Sequence, residues 1–171
     1  LFDRASEHGS RAVDFFGTQL TLPPEGRFGS TAAVQRYVDD VLAHLGSDRP
    51  LSVRPRRGAT AAHYERSDDG AIIAVPDRGS SWALRELVVL HEIAHHLCDA
   101  HPPHGPEFVA TFCELAEAVM GPEAAHVLRV VSAKEGVRSP RPGERPAPRS
   151  PPRAVPAGAS LHGPRPLRPT H

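Results

Sequence analysis

The chain has few of the residues that reinforce a small core. Its 171 residues include two cysteines, one tryptophan, two tyrosines and one methionine. Cys98 and Cys113 are too few for a disulfide framework, which excludes the small secreted scaffolds that depend on one. No apolar run approaches the ~20 residues that cross a bilayer, and the N-terminus lacks the basic-then-apolar pattern of a signal peptide. The expectation is a cytoplasmic monomer with reduced thiols and no membrane partner. Lysine is almost missing, since Lys134 stands alone among 20 basic residues. Arginine in its place, with abundant Ala, Gly and Pro, reflects a high-GC coding bias and says nothing of function.

Net charge is also missing, but only on average. From Val137 onward seven arginines face a single acid, Glu144, which leaves 13 basic and 19 acidic residues before it. The last 35 residues hold ten prolines and few large apolar groups. Such a segment buries too little surface to offset the entropy of ordering, so residues 137–171 are expected to be a disordered Pro/Arg-rich tail. Residues 1–136 are expected to form one domain. The tail's arginines leave a nucleic-acid partner open, but without aromatics to stack on bases the signal is weak.

Within 1–136 the pattern is mixed. Val13–Leu22 is apolar but ambiguous, with Pro23, Pro24, Gly26 and Gly29 breaking any long element after it. Ser30 or Thr31 caps a helix to about Leu45, with Val34, Tyr37, Val38, Val41 and Leu42 on one stripe. Leu51–Arg54, Thr60–Arg66 and Ala71–Val75 read as short strands, the last two joined by the Ser67–Gly70 turn. Ser80 or Ser81 caps a second helix from about Trp82 to Cys98, apolar around much of its circumference and so expected at the centre. Pro106 opens a third helix to Met120, and Pro122 opens a fourth that ends near Gly136. The fold class is therefore α+β. An N-terminal helix packs on a small, mostly antiparallel sheet, and the central helix is followed by two more.

The chemistry is concentrated in that central helix, in His91-Glu92-Ile93-Ala94-His95. Residues four apart lie one above the other on a helix face. Two imidazoles so placed can bind one zinc ion at about 2.0–2.1 Å. Glu92 beside them can take a proton from water as general base. Burying two histidines among Leu87, Val88 and Leu97 is costly without a partner, and a metal is the most economical one. A catalytic zinc takes a third protein ligand and keeps an open position. His101 lies at the metzincin spacing, although that pattern has glycine where Cys98 stands. Glu114 lies near the distance at which gluzincins place a glutamate. Met120 is a lone methionine near a turn, for which a helix end is the simpler reading. His104 precedes the third helix, where Gly105 would permit a tight turn back.

His91-Glu92-x-x-His95 followed by His104-Gly105-Pro106-Glu107-Phe108 resembles the SprT-like zinc metallopeptidases. The chain is also similar to a small actinobacterial group of metallohydrolases that add Gly-Pro-Glu-Ala-Ala, here Gly121–Ala125. The match covers about residues 71–136. The resemblance implies a zincin-like fold. It also implies zinc on His91, His95 and His104, Glu92 as the base, and a peptide or protein substrate. In zincins the strand before the active helix often lines the cleft, so Ala71–Val75 is expected to offer its edge to an extended peptide. Tyr64 is a weak candidate to steady an oxyanion, and Glu107 could hydrogen-bond a ligand histidine. His96 is expected at the surface or supporting a ligand, Cys98 as a small buried thiol, and His126 in packing or at the surface. Two rival readings remain: hydrolysis of an amide other than a peptide, and a non-catalytic zinc-stabilised module tethered to nucleic acid.

Overall fold

A computed structural model describes residues 12–57, 61–76 and 84–137, all within the compact unit Leu1–Arg141. The segment read as a tail lies outside the described residues from 138 on. The described elements are β1 (Ala12–Phe15), β2 (Thr18–Thr21), α1 (Thr31–His44), β3 (Ser52–Arg56), β4 (His63–Ser67), β5 (Gly70–Pro76), α2 (Glu86–Leu97), α3 (Pro106–Met120) and α4 (Pro122–Lys134). The chain is α+β, with two small sheets and four helices among these residues.

The ambiguous stretch before Pro23 is an antiparallel hairpin, β1 with β2. Its turn is Phe16-Gly17, both at positive φ, 53° and 79°. That is the backbone of a two-residue primed turn, which Asn-Gly or Asp-Gly signals far more often than Phe-Gly. Phe15 and Leu22 from this hairpin pack on Ala124 and Val127 of α4.

The main sheet has the order β3-β5-β4. β4 and β5 form the expected hairpin, but β3 runs parallel to β5, so the sheet is mixed rather than mostly antiparallel. Composition explains the order. β5 is the apolar strand, with Ile73, Ala74 and Val75 fully buried, and it takes the centre. Pro55 lacks an amide hydrogen for a ladder, which suits β3 to an edge. The polar β4 takes the other edge. Both sides of β5 are thereby paired, and the strand edge beside α2 belongs to β4, contrary to the expectation for Ala71–Val75.

α1 starts at Ser30, whose hydroxyl accepts from the Ala33 amide at 3.2 Å, the expected cap. It lays Val34, Val38, Val41 and Leu42 on the core. α2 contributes Val89, Leu90, Ile93 and Ala94, and α3 closes the core with Phe108, Val109 and Leu115.

α2 begins at Glu86, four residues later than expected, because Leu84 lies in a turn and Arg85 is extended. Arg85 bridges Arg27, and the Phe28 amide donates to the Leu84 carbonyl at 2.8 Å. Ser80, Ser81 and Trp82 lie outside the described residues. The cap comes from afar. Glu25 accepts from the Leu87 amide at 3.2 Å and from Arg85 Nε at 3.0 Å. The Glu25 and Arg85 side chains are only 3% and 7% exposed. A carboxylate at a helix N-terminus satisfies a free amide and complements the helix dipole. Gly26 and Glu86 add two further bonds, amide to carboxylate at 2.8 Å and amide to carbonyl at 2.9 Å. Tyr37 donates to Glu86 at 2.7 Å.

Glu25 is both the buried ion-pair partner of Arg85 and the acceptor for the Leu87 amide, and removing one member of a buried ion pair costs about 3–5 kcal/mol. Glu25→Ala should therefore lower stability by about that amount in urea unfolding followed by circular dichroism. A change below about 0.5 kcal/mol, typical of a surface site, would refute the anchoring role.

Candidate metal centre

α2 presents His91 and His95 one turn apart. The loop after Cys98 then returns His104 to the same spot. The three Nε2 atoms converge, with His91–His95 at 3.2 Å, His91–His104 at 3.1 Å and His95–His104 at 2.9 Å. These three residues form a group that could hold a metal ion. Among the described residues neither His101, Glu114, Cys98 nor Met120 joins it. His101 and Glu114 are exposed, Met120 packs in the cores, and Cys98 is a half-buried free thiol.

The protons on these rings decide whether the group fits a cation. A neutral imidazole nitrogen is either a donor or an acceptor. Three Nε2 atoms in mutual contact cannot form three hydrogen bonds, because at least one contact always sets lone pair against lone pair or N–H against N–H. A cation at the centre accepts all three lone pairs at once. Tetrahedral zinc at about 2.0–2.1 Å spaces its nitrogen ligands by about 3.3 Å, close to the separations found. The two rings on α2 are also in the right protonation state. Burial, with His95 and His104 nearby, pulls His91 down to about 4, and burial with His104 and His63 does the same to His95. Both are neutral at pH 7, as ligands must be.

The loop geometry differs from expectation in one respect. Gly105 is extended, at φ −70° and ψ −176°, and the left-handed residue is His104 itself, at φ 63°. Glycine is needed at 105 for space. A Cβ there would stand 2.9 Å from the Pro102 carbonyl oxygen, which also accepts the Gly105 amide at 2.9 Å.

Phe108 has a part that its place in the motif did not disclose. Within the first turn of α3, its ring centroid lies 4.9 Å from His91, 4.3 Å from His95 and 4.9 Å from His104. Phe112 flanks His91 at 5.5 Å. Phe108 and Phe112 give the centre an apolar wall, while His104 itself is exposed.

Glu92 is 7% exposed. Burial raises its pKa from 4.5 to about 7, against the Tyr64 backbone amide, which bonds the carboxylate and lowers it. His96 is not at the surface but 2% exposed. Its Nδ1 meets the Tyr64 hydroxyl at 3.3 Å and its Nε2 the Arg49 carbonyl at 3.2 Å. The 100° offset from His95 turns it toward the sheet, where these partners satisfy it. Burial holds its pKa below the usual range. Among the described residues the Glu107 carboxylate accepts no bond from a histidine; its backbone carbonyl accepts from the Thr111 hydroxyl at 3.0 Å. His126 is exposed, edge-on to Phe15 at 6.2 Å. A cleft of about 350 Å³ opens beside His95, lined by Tyr64, Arg66, Cys98, Asp99, Ala100, His101, Pro103 and Phe108.

No protein-family model matches the chain, and no curated protein does. Among solved structures it is similar to the metallopeptidase zymogen of Pyrococcus abyssi abylysin, at 19% identity and a TM-score of 0.37. The similarity covers 62% of this chain and 98% of that one. Among the described residues no helix is long and apolar enough to cross a membrane.

The Cβ of Gly105→Ala would meet backbone rather than a yielding side chain. Overpacking of this kind costs about 1–3 kcal/mol. The variant should melt earlier by a corresponding amount in calorimetry of the metal-free protein. An unshifted melt would show that the Pro102 turn gives way freely.

Proposed function

We propose that this chain is a zinc-dependent metallohydrolase of the HExxH type and that its reaction is peptide-bond hydrolysis. The observation that carries the reading is the convergence of the Nε2 atoms of His91, His95 and His104 next to the buried carboxylate of Glu92. His91, His95 and His104 would hold the metal. Zinc, when bound there, would polarise a scissile carbonyl and lower the pKa of a water molecule toward about 7.

The chain's own residues supply the proton transfers. Glu92, buried on α2 beside His91, is suited to accept a proton from the attacking water and to return it to the leaving amine. The Tyr64 amide holds its carboxylate in place. Phe108 and Phe112 form the apolar wall beside the imidazoles. The residues that could have closed the centre, Cys98 and His101, stand outside the triad. A site with three protein ligands is the catalytic pattern, whereas structural zinc sites take four. That separation supports an enzyme over a zinc-stabilised module. A peptide substrate is supported by the cleft beside His95 and by the position of β4 at the sheet edge. The SprT-like resemblance of His91–His95 and His104–Phe108 supports the same reading.

Two experiments test the assignment. Glu92→Gln should keep one zinc per chain while hydrolysis of a peptide library falls by about 10²–10⁴-fold, the usual share of general base catalysis. Equal turnover by that variant would sink the base. Elemental analysis should find zinc lost from His104→Ala and kept in His101→Ala. The reverse result would move the third ligand to His101.

A further inference from the structure

Tyr64 meets the centre in three ways. Its backbone amide bonds the Glu92 carboxylate. Its ring lies 13° from parallel to His95, with centroids 6.3 Å apart. Its hydroxyl sits between His96 Nδ1, at 3.3 Å, and Arg66 Nε, at 2.8 Å.

The direction of each bond follows from what each group can donate. The Arg49 carbonyl can only accept, so His96 Nε2 carries the ring proton and Nδ1 presents a lone pair. The Tyr64 hydroxyl therefore donates to Nδ1 and accepts from Arg66 Nε. Arg66 is committed in turn, with one terminal nitrogen on Asp99 and the other on the His96 carbonyl at 3.0 Å. Asp99 also takes Arg49 at 3.2 Å. The single hydroxyl proton is spent on His96, and none is left for an oxyanion on a substrate. The phenol is fixed at its far end while its face flanks His95. A helical histidine still has two side-chain torsions free, and a metal triad needs its nitrogen placed to a few tenths of an ångström. Phe108 and Tyr64 both flank the His95 ring.

We propose that Tyr64 is a positioning residue of this centre, holding Glu92 through its amide and the plane of His95 through a side chain locked by His96 and Arg66. The proposal rests on the metallohydrolase reading. Orienting partners of metal ligands typically contribute 10–100-fold to metal affinity or activity.

The test uses the full chain and reads metal binding as well as activity. Tyr64→Leu removes the ring, and Tyr64→Phe keeps ring and amide but removes the hydroxyl. Arg66→Gln removes the donor that orients that hydroxyl. Each variant is titrated with Zn2+ against a chromophoric chelator, and its Co2+ complex is recorded in the visible range. Tyr64→Leu should lose about 10–100-fold in affinity and shift the Co2+ bands. Tyr64→Phe and Arg66→Gln should show a smaller loss of similar size to each other. A merely structural role would lower the melting temperature and leave the affinity and spectrum of the folded protein unchanged, and that result overturns the proposal. Full affinity in Tyr64→Phe with a fall in kcat at constant KM also overturns it, because the hydroxyl would then act on substrate. If Tyr64→Leu does not fold, unchanged affinity in both other variants is decisive against it. A wild-type chain that binds neither ion defeats the metal reading itself, an outcome distinct from unaltered variants of a metal-binding protein.

Discussion

Three imidazole nitrogens that face one another at about 3 Å cannot satisfy one another, and the rest of this structure is organised around that conflict. A helix can supply two of them at no geometric cost, because i and i+4 share a face. The third has to be brought by a return of the chain. His104 reaches its place in the left-handed region, which for a residue other than glycine costs on the order of 1–3 kcal/mol and persists only when its surroundings enforce it. Here the enforcement comes from the turn between Pro102 and Gly105 and from Pro106, which starts α3 at once. Phe108 then lies within the first turn of α3, against all three rings. The motif His104–Phe108 thus works as one unit, in which the residue that points and the residue that packs are four positions apart.

The helix that carries the first two ligands depends on a segment far from it in sequence. A helix as short as α2 is marginal on its own, and its own N-cap, Arg85, provides no side-chain cap. Glu25 and Gly26 accept from the first two amides of α2, Phe28 donates to Leu84 just ahead of it, and Tyr37 fastens Glu86 from α1. The far end is tied to the sheet through His96, Arg66 and Asp99. α2 is therefore held at both ends while its middle offers His91, Glu92 and His95. The residues preceding β3, which carry no recognisable chemical motif, act on the centre through this scaffold.

What was legible in the sequence divides along the same line. The pairing of His91 with His95 follows from helical periodicity alone, and the bounds of α1, α3 and α4 follow from Ser30, Pro106 and Pro122. Local rules do not reach further than that. The loop to His104 could have returned or passed by, so only its resemblance to a known motif favoured it over His101 and Glu114. His96 read as either a surface residue or a support for a ligand, because its partners lie 32 and 47 positions away, at Tyr64 and Arg49. Glu25 looked like part of an irregular loop because its role is defined by Leu87 and Arg85. The edge places of β3 and β4 were encoded in strand chemistry, since Pro55 and the polar β4 both exclude the centre that β5 requires, whereas the parallel direction of β3 has no such local signal. The β1–β2 hairpin was hidden because Phe16 occupies a position that Asn or Asp usually announces.

Glu92 gives the strongest argument over whether the centre is built for reaction or for support. Without a cation beside it, raising its pKa from 4.5 to about 7 costs the folded state on the order of 3 kcal/mol at pH 7 or above, at 1.36 kcal/mol per unit. The sign is that of a group whose charged form the fold disfavours, so stability falls as pH rises past the ordinary carboxylate range. A fold that needed zinc only as a staple would be more stable with an apolar side chain at this buried position. It would also gain from drawing Cys98 or His101 into the fourth place, which the described loop does not do. A buried carboxylate poised near neutrality beside an incompletely enclosed triad is disadvantageous for a support and useful for proton transfer. On the proposed metallohydrolase reading, a cation at the triad would offset the stability lost at Glu92, and the carboxylate would serve proton transfer.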